Sequence, residues 1–260
     1  MTRIAIVGIA GRMGRSLLEN AAEIEDVSIV AGVESPGSDA VDGTLGPQDV
    51  PVTDDFTEAF SPADVAIDFS APSACVAAAM AARYAEIGFV SGTTGLDDEQ
   101  RSTIGGLTEE IAILRASNFS IGINLLMKLA ADASAATRED FDIEIFEAHH
   151  RNKVDAPSGT ALSLGEAAAE AREWDLDEVA EWSRHGEVGE REEREIGFQV
   201  MRGGGIVGEH TVALCGPGER IELTHRAGDR GIFARGALTA ARWLDDTSPG
   251  LYAMEDVLFA

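Results

Sequence analysis

The chain has 260 residues, and its 46 acidic side chains against 20 lysines and arginines give a formal net charge of −26. A field of this sign repels nucleic acids and anionic membrane surfaces, so we expect neither as a partner. The acidic residues are spread along the whole chain, and only Lys128 and Lys153 are lysines. This composition predicts a halophilic protein that stays soluble at high salt, where the screening length is only a few ångströms.

The two cysteines and three of the five histidines stand alone in the sequence. Cys75 and Cys215 lack the spacing of a metal site or a redox pair, so we expect two buried thiols, no disulfide and no metal. His185, His210 and His225 have no partners at ligand spacing, and we interpret them as structural. The absence of a membrane-spanning run and of a secretory pattern in the N-terminal residues favours a cytoplasmic protein.

The N-terminal residues have the pattern of a dinucleotide-binding unit. Arg3 to Val7 and Val27 to Val33 are apolar runs typical of buried parallel strands, and Arg15 to Ile24 has helical spacing. Between the first strand and the helix, Gly8 to Gly14 has glycines in Gly-x-x-Gly-x-x-Gly spacing, which permits a tight turn whose amides approach a pyrophosphate. Glu34 can accept hydrogen bonds from ribose hydroxyls. The alternative is a purely structural β–α turn.

Three more apolar runs extend this unit, at residues 63–69, 87–90 and 111–114. Ligands of an open parallel sheet bind beyond the carboxyl ends of its strands. The loops Gly92–Thr94 and Ala116–Phe119 follow two of these strands, so they are candidates to contact the nicotinamide half of a dinucleotide. Ordinary turn and cap chemistry is the alternative for each loop.

The pattern changes after residue 120. The segments that follow are a long helix at 121–137, a strand at 141–146, a helix at 158–173, an irregular acidic stretch at 174–195, and strand-like runs at 196–201, 206–214 and 220–225. This mixture predicts a second α+β domain, residues 121–230, with a mixed open sheet. A helix at 231–244 then returns to the first domain. We predict that residues 1–120 and 231–260 form a Rossmann-type α/β domain with a doubly wound parallel sheet.

The loop before the helix of the second domain carries the strongest chemical signal. His149, His150 and Lys153 stand just before the helix start Ser158–Thr160. The unpaired amides of a helix N-terminus, at the positive end of the helix dipole, attract an anion. A lysine can also give up a proton, which an arginine effectively cannot. We therefore predict a site that binds an anion and donates a proton, with a solvated loop of incidental charge as the alternative.

Over nearly its whole length the chain resembles the 4-hydroxy-tetrahydrodipicolinate reductase (dihydrodipicolinate reductase) family of the diaminopimelate route to lysine. The most specific part of the resemblance is the string His-His-x-x-Lys-x-Asp-Ala-Pro-Ser-Gly-Thr, from His149 to Thr160. A generic nucleotide-binding fold would not carry this string. The other shared motifs are Gly11-Arg12-Met13-Gly14, Ser91-Gly92-Thr93-Thr94-Gly95, Asn118-Phe119-Ser120 and Ile206-Val207-Gly208-Glu209-His210-Thr211.

The resemblance implies an oxidoreductase that uses NADH or NADPH, a small dicarboxylate substrate, and a homotetramer joined through the second domains. It implies proton donation by His149 and Lys153. It also implies that a substrate carboxylate is bound by His150, Gly159 and Thr160. The residues that it assigns to the dinucleotide are Gly8, Ile9, Ala10, Gly11, Arg12, Met13 and Glu34 for the adenosine and pyrophosphate portions, and Gly92, Thr93, Thr94, Ala116, Ser117, Asn118 and Phe119 for the nicotinamide region.

One position departs from the family pattern. Ser35 stands where many members carry a basic residue that can meet the 2′-phosphate of NADPH, and Glu34 would repel that phosphate. We therefore expect a preference for NADH, with Arg12 permitting some use of NADPH. Two other functions are compatible with the sequence: another two-domain dehydrogenase of an amino-acid precursor, and a non-catalytic NAD(H) sensor. The basic loop argues against a sensor, since a sensor has no need of proton chemistry.

Overall fold

The structure, a computed structural model, describes residues 1–259 without the side chain of Glu139. The chain divides into two compact units. The first comprises residues 1–121 and 231–259, and the second comprises residues 122–230. No helix in this described part of the chain is long and apolar enough to cross a membrane.

The first unit is built around an eight-stranded sheet. Its strands are β1 (Thr2–Val7), β2 (Val27–Val33), β3 (Thr44–Leu45), β4 (Val50–Thr53), β5 (Val65–Asp68), β6 (Gly88–Ser91), β7 (Ala112–Arg115) and β13 (Gly250–Tyr252). Their order across the sheet is β13-β7-β6-β5-β1-β2-β4-β3, and every neighbouring pair is parallel except β3 with β4. The chain winds outward from β1 in both directions, which confirms the predicted Rossmann-type sheet.

Helices cover both faces of this sheet. They are α1 (Arg12–Ala21), α2 (Phe56–Phe60), α3 (Pro72–Tyr84), α4 (Asp98–Gly106), α8 (Gly231–Asp245) and α9 (Met254–Phe259). Side chains of a strand alternate between the two faces. Ile4 and Ile6 accordingly pack in the cluster that contains α1 and α8, and Ala5 and Val7 pack in the cluster that contains α3 and α4. Both faces are apolar, so the strands appear in the sequence as continuous apolar runs.

The second unit has a five-stranded mixed sheet, as predicted. Its strands are β8 (Asp142–His149), β9 (Ala180–Glu181), β10 (Ile196–Arg202), β11 (Glu209–Cys215) and β12 (Arg220–Arg226), and its helices are α5 (Ile121–Thr137), α6 (Gly159–Glu170) and α7 (Leu176–Val179). The order is β12-β11-β8-β10-β9, with β8, β10 and β9 parallel and β11 antiparallel to β8 and β12. Apolar side chains of α5 and α6 pack on one face of the sheet.

The strand predicted at residues 141–146 is longer than expected. It runs from Asp142 to His149, so His149 is the last residue of β8 and not a loop residue. The sequence pattern missed this end because the strand continues with a buried glutamate, Glu147, where an apolar residue was expected. Polar side chains on a buried strand face usually have specific hydrogen-bond partners.

The stretch 174–195 is more ordered than the sequence predicted, because it contains α7 and β9. Arg184 donates to both carboxylate oxygens of Glu144, at 2.9 and 2.8 Å, and also pairs with Glu195. These partners lie outside the local pattern, so periodicity could not reveal them. The other strands and α-helices that were not predicted in the described residues have two to six residues, too short for a clear period. They are β3, β4, α2, β13 and α9.

Both cysteines are free thiols. Cys75 is buried as predicted, but Cys215 is only half-buried. Burial, together with the charge of Asp68, raises the pKa of the Cys75 thiol to about 12. Cys75 therefore behaves as a small core side chain and not as a nucleophile.

Candidate active site

The glycine turn leads from β1 into α1. Gly8 has a φ of +78°, a conformation that side chains disfavour, and Gly11 donates its amide hydrogen to the Gly8 carbonyl at 3.0 Å. A Cβ at Gly14 would collide with the carbonyl oxygen of Ile9. The first turn of α1 begins at Arg12 and contains no acidic residue. The positive end of this helix is therefore suited to an anion such as a pyrophosphate.

Glu34 follows the last residue of β2, and its side chain contacts this turn. Its carboxylate accepts the amide hydrogen of Ala10 at 2.8 Å and that of Ser35 at 3.3 Å. A cavity of about 660 Å³ opens beside it. Among the predicted residues, Gly8, Ala10, Gly11 and Glu34 line the cavity.

The three other residues predicted for this half of the dinucleotide do not line the cavity. The side chain of Ile9 is fully buried in the core, and Met13 packs partly against the same core. Arg12 is exposed at the start of α1. Phe69, which the sequence analysis did not single out, does line the cavity. Its position just after β5, at a carboxyl end of the sheet, was the available signal.

A second cleft of about 400 Å³ forms where β6 and β7 end. The predicted residues Thr93, Thr94, Ala116 and Ser117 line it. The predicted residues Gly92, Asn118 and Phe119 do not line it. A Cβ at Gly92 would collide with the ring of Phe69, and that ring packs 5.4 Å from the ring of Phe119 between centroids. Asn118 accepts the amide hydrogen of Ser120 at 2.9 Å.

Asp68, the last residue of β5, organises the loops at this end of the sheet. Its side chain is fully buried and accepts hydrogen bonds from the hydroxyl groups of Ser70, Ser91 and Thr93, the latter two at 3.0 and 2.7 Å. The amide of Ser70 donates to it at 3.2 Å. Asp68, which the sequence analysis did not identify, therefore connects the predicted loop Gly92–Thr94 to the segment that follows β5.

In the second unit, β8 carries two polar residues inward. Ile143 and Ile145 lie fully buried in the core, and the same two-residue alternation brings Glu147 and His149 to that face. Glu147 is 1% exposed and His149 is 9% exposed. Glu147 was not predicted as a site residue, although its place in the alternation was visible in the sequence.

Glu147 has four hydrogen bonds. Arg202 donates to both of its oxygens, each at 2.7 Å, and the amide of Ser158 donates at 3.0 Å. His149 Nδ1 lies 2.6 Å from Oε2. Burial opposes ionisation, but the hydrogen bonds from Arg202 and His149 outweigh it and lower the pKa of Glu147. The residue is therefore an ionised, buried carboxylate.

Burial and neighbouring charges have opposing effects on the pKa of His149. Burial lowers its pKa most strongly, Glu147 raises it, and Lys153 and Arg202 lower it further, so that the pKa of His149 lies below its ordinary value. Lys153 donates to Asp155 at 2.8 Å, and its side chain is one-fifth exposed. A neutral imidazole and a lysine thus lie close together in this stretch of the chain.

His210, which the sequence analysis interpreted as structural, contacts this group. Its ring packs edge-on against His149, 5.1 Å between centroids, and its Nε2 lies 3.1 Å from the hydroxyl of Ser158. Burial and the neighbouring His149 lower the pKa of His210 to about 4. The sequence analysis could not detect this contact, because it depends on the pairing of β11 with β8, in which His210 lies opposite Glu147.

The N-terminus of α6 differs in one respect from the sequence prediction. Ser158 is the N-cap, and its hydroxyl accepts from the amide of Ala161 at 3.2 Å. The Ser158 amide donates to Glu147, so the expectation that it faces a ligand was wrong. Gly159 is exposed and Thr160 is half-buried in the first turn of α6.

His150 follows β8 and is half-buried. Its Nε2 lies 3.4 Å from a guanidinium nitrogen of Arg230, which donates to it. Arg230, which the sequence analysis did not include, therefore places a positive charge beside a predicted carboxylate-binding residue.

Comparisons with known proteins identify the family of this chain. The family model described as "Dihydrodipicolinate reductase, N-terminus" matches residues 2–119, and the one described as "Dihydrodipicolinate reductase, C-terminus" matches residues 122–258. A 4-hydroxy-tetrahydrodipicolinate reductase of Alkalilimnicola ehrlichii is 48% identical over 263 residues, which cover 99% of this chain and 98% of that protein. One of Thiobacillus denitrificans is 47% identical, covering 98% of each chain.

A solved structure shows the same fold. The dipicolinate-bound dihydrodipicolinate reductase of Paenisporosarcina sp. TG-14 superposes with a TM-score of 0.82, at 26% identity, over 99% of this chain and all of that one. Full-length sequence similarity, both family models and the fold therefore agree. The chain belongs to the dihydrodipicolinate reductase family.

Proposed function

We propose that this protein reduces 4-hydroxy-tetrahydrodipicolinate to tetrahydrodipicolinate with a hydride from NADH or NADPH, in the diaminopimelate pathway of lysine biosynthesis. Full-length similarity to reductases of this name supports the reaction. The observation that carries the proposal is the buried hydrogen-bonded group of Glu147, His149, Arg202 and Ser158 beside Lys153. It provides proton chemistry that a nucleotide-binding fold alone does not need.

The proposed reaction requires a proton donor, and this group can provide one. The substrate is a cyclic dicarboxylate whose C=C is conjugated to an imine once water leaves. When bound, the nicotinamide would supply a hydride to the ring carbon β to the imine, which would leave the substrate as the anion of an enamine. The chain must then deliver a proton to that anion, and we assign this proton transfer to His149 and Lys153. The positive charge of Lys153 also stabilises negative charge that develops on the substrate.

The substrate carboxylates must enter a protein with a net charge of −26. We assign one carboxylate to His150, Gly159 and Thr160. The support is local charge: Arg230 contacts His150, and Gly159 and Thr160 lie in the first turn of α6, at the positive end of its dipole. These groups offer an anion a favourable position within an otherwise repulsive field.

For the dinucleotide, we assign the adenosine and pyrophosphate portions to the turn from Gly8 to Met13 and to Glu34. Two features support this assignment: the cavity beside Glu34, and the N-terminus of α1, whose first turn contains no acidic residue. Met13 would contribute through its backbone amide, because its side chain packs against the core. The amide of Ile9 donates to the Val33 carbonyl at 3.4 Å, so Ile9 would act by shaping the turn. We assign the nicotinamide region to the loops Gly92–Thr94 and Ala116–Phe119, and we propose that NADH is preferred.

We further propose a cytoplasmic, salt-adapted homotetramer. The excess of acidic residues supports salt adaptation. Apolar side chains of the second unit that are exposed in the single chain support assembly through that unit, and they include Phe146, Val200, Met201 and Ile221.

A coupled assay with freshly generated substrate, run with NADH and with NADPH in high salt, tests the reaction. We expect substrate-dependent loss of the absorbance of the reduced nicotinamide. Reduction of NAD by amino acids, without this activity, would favour a different amino-acid-precursor dehydrogenase. Tight NADH binding without turnover would favour a sensor.

A further inference from the structure

The carboxylate of Glu147 joins three segments of the second unit. It binds His149 at the end of β8, Arg202 at the end of β10 and the amide of Ser158 at the start of α6. Oε1 accepts from Ser158 and Arg202, and Oε2 accepts from His149 and Arg202. Each oxygen therefore has two donors, and the side chain is 1% exposed. A carboxylate held in this way has little freedom to rotate.

The charge state of Glu147 determines the tautomer of His149. A carboxylate in a bidentate pair with arginine is ionised and can only accept hydrogen bonds. The 2.6 Å contact therefore requires that His149 Nδ1 carries a hydrogen. Nε2 is then the nitrogen that exchanges a proton, gaining one when the ring becomes positive and losing it on donation.

We propose that Glu147 is the positioning residue of this site: it holds His149 in the Nδ1-protonated form, leaves Nε2 for proton transfer to the substrate, and stabilises the protonated ring. The kinetic part of this proposal rests on the proposed function. The structural part concerns His149 alone. Glu147 does not touch the substrate in this scheme and acts through His149.

Charged and titratable groups face His149 from each neighbouring segment. Glu147 on β8 is negative, whereas Arg202 on β10 and Lys153 in the loop are positive. His210 on β11 packs against the ring and has a pKa of about 4, so it is neutral over most of the working range. If the charge of Glu147 is removed, only positive neighbours remain, and protonated His149 is disfavoured.

The chain offers a matched control on the same strand. Glu144 is also held by a bidentate arginine, Arg184, at 2.9 and 2.8 Å, and accepts from Gln199 at 2.6 Å. Because strand residues alternate, it lies on the opposite face of β8 from Glu147 and His149. Glu144→Gln therefore breaks an equivalent ion pair without altering the field at His149.

The primary test is NMR titration of ¹⁵N-labelled histidines, with His149 assigned by its absence in His149→Gln. In the unmodified protein we expect the neutral ring as the Nδ1–H tautomer. Glu147→Gln should lower the pKa of His149 by about one unit or more, and Glu144→Gln should leave it unchanged. An Nε2–H tautomer in the unmodified protein, or an unchanged His149 titration in Glu147→Gln, would overturn the proposal.

Arg202→Gln provides a second variant if Glu147→Gln does not fold. It removes a positive neighbour, so the pKa of His149 should rise, and a fall would contradict the proposal. In turnover assays, the high-pH limb of kcat/KM should move to lower pH in Glu147→Gln. Above the lowered pKa of His149, kcat/KM should fall roughly tenfold for each further pH unit. If the unmodified protein fails to reduce the substrate, the proposed function fails, while the titration still decides the role of Glu147.

Discussion

The hydroxyl group of Thr93 donates to the carboxylate of Asp68 at 2.7 Å, and both residues are buried in the first unit. Ser91 donates to the same carboxylate oxygen at 3.0 Å, and the Thr93 hydroxyl accepts from the amide of Ser70 at 3.0 Å. The carboxyl ends of β5 and β6 are thereby connected by side chains. This connection sets the shape of the loop Gly92–Thr94, to which we assign the nicotinamide.

Thr93→Val should weaken dinucleotide binding. Valine has nearly the same shape but cannot donate, and a lost hydrogen bond to a charged group costs about 1.5–3 kcal/mol. If about half of this loss appears in binding, the Kd for NADH should rise roughly tenfold or less. Calorimetric titration with NADH measures the change. Thr103→Val is the control, because the Thr103 hydroxyl donates to the carbonyl of Glu99 in the same helix, α4. Equal Kd values in both variants would contradict the role of Thr93.

The discrimination between dinucleotides should depend on Glu34. We expect kcat/KM for NADH to exceed that for NADPH, because the carboxylate would repel a 2′-phosphate. The double change Glu34→Gln with Ser35→Arg should shift the ratio toward NADPH by roughly tenfold or more, equivalent to about 1.4 kcal/mol. Steady-state kinetics with both dinucleotides measure the ratio. A KM for NADPH well below that for NADH in the unmodified protein would refute this preference.

Lys153→Ala should lower kcat by roughly a hundredfold or more, the usual scale for the loss of a general acid. The other lysine of the chain is a natural control. Lys128 pairs with Asp132 on the surface of α5, so Lys128→Ala should retain full turnover. Both variants are compared at saturating substrate. Unchanged kcat in Lys153→Ala would remove this residue from the mechanism.

Burial of His210 predicts a loss of stability in mild acid. Its pKa falls from 6.5 to about 4 in the folded chain. Between these values the unfolded state binds more protons, so the free energy of unfolding decreases as the pH falls through this window, by about 3 kcal/mol at most.

Chemical denaturation across this pH range measures the effect. His210→Gln removes the titrating group, so its stability should depend less on pH in the same window. His185→Gln is the control, because His185 is exposed. A pH dependence in His210→Gln as steep as that of the unmodified protein would contradict the assignment.

Salt should stabilise the protein. Self-repulsion among charges that sum to −26 opposes the compact state, and added salt screens it. We expect the free energy of unfolding to increase with KCl concentration, as measured by thermal or denaturant unfolding. Maximal stability at low salt would contradict salt adaptation.

Local patterns in the sequence were sufficient to predict both sheets and the family of this protein. Apolar runs followed by helical spacing predicted the parallel sheet, and the change of pattern after residue 120 predicted a mixed sheet, both of which the structure confirms. The Gly8–Gly14 turn and the string from His149 to Thr160 indicated the family. Such signals are readable because neighbouring residues carry them, and the period of each element is a local property.

Only the tertiary structure decided which side chains support these residues. Arg202 reaches Glu147 across 55 positions, and His210 reaches Ser158 across 52. Strand pairing places them there: Arg202 lies beside His149 in the β10–β8 register, and His210 lies opposite Glu147 in the β11–β8 register. A shift of one residue would turn each side chain to the other face of the sheet. Register depends on packing of the whole unit, and no local pattern contains that information.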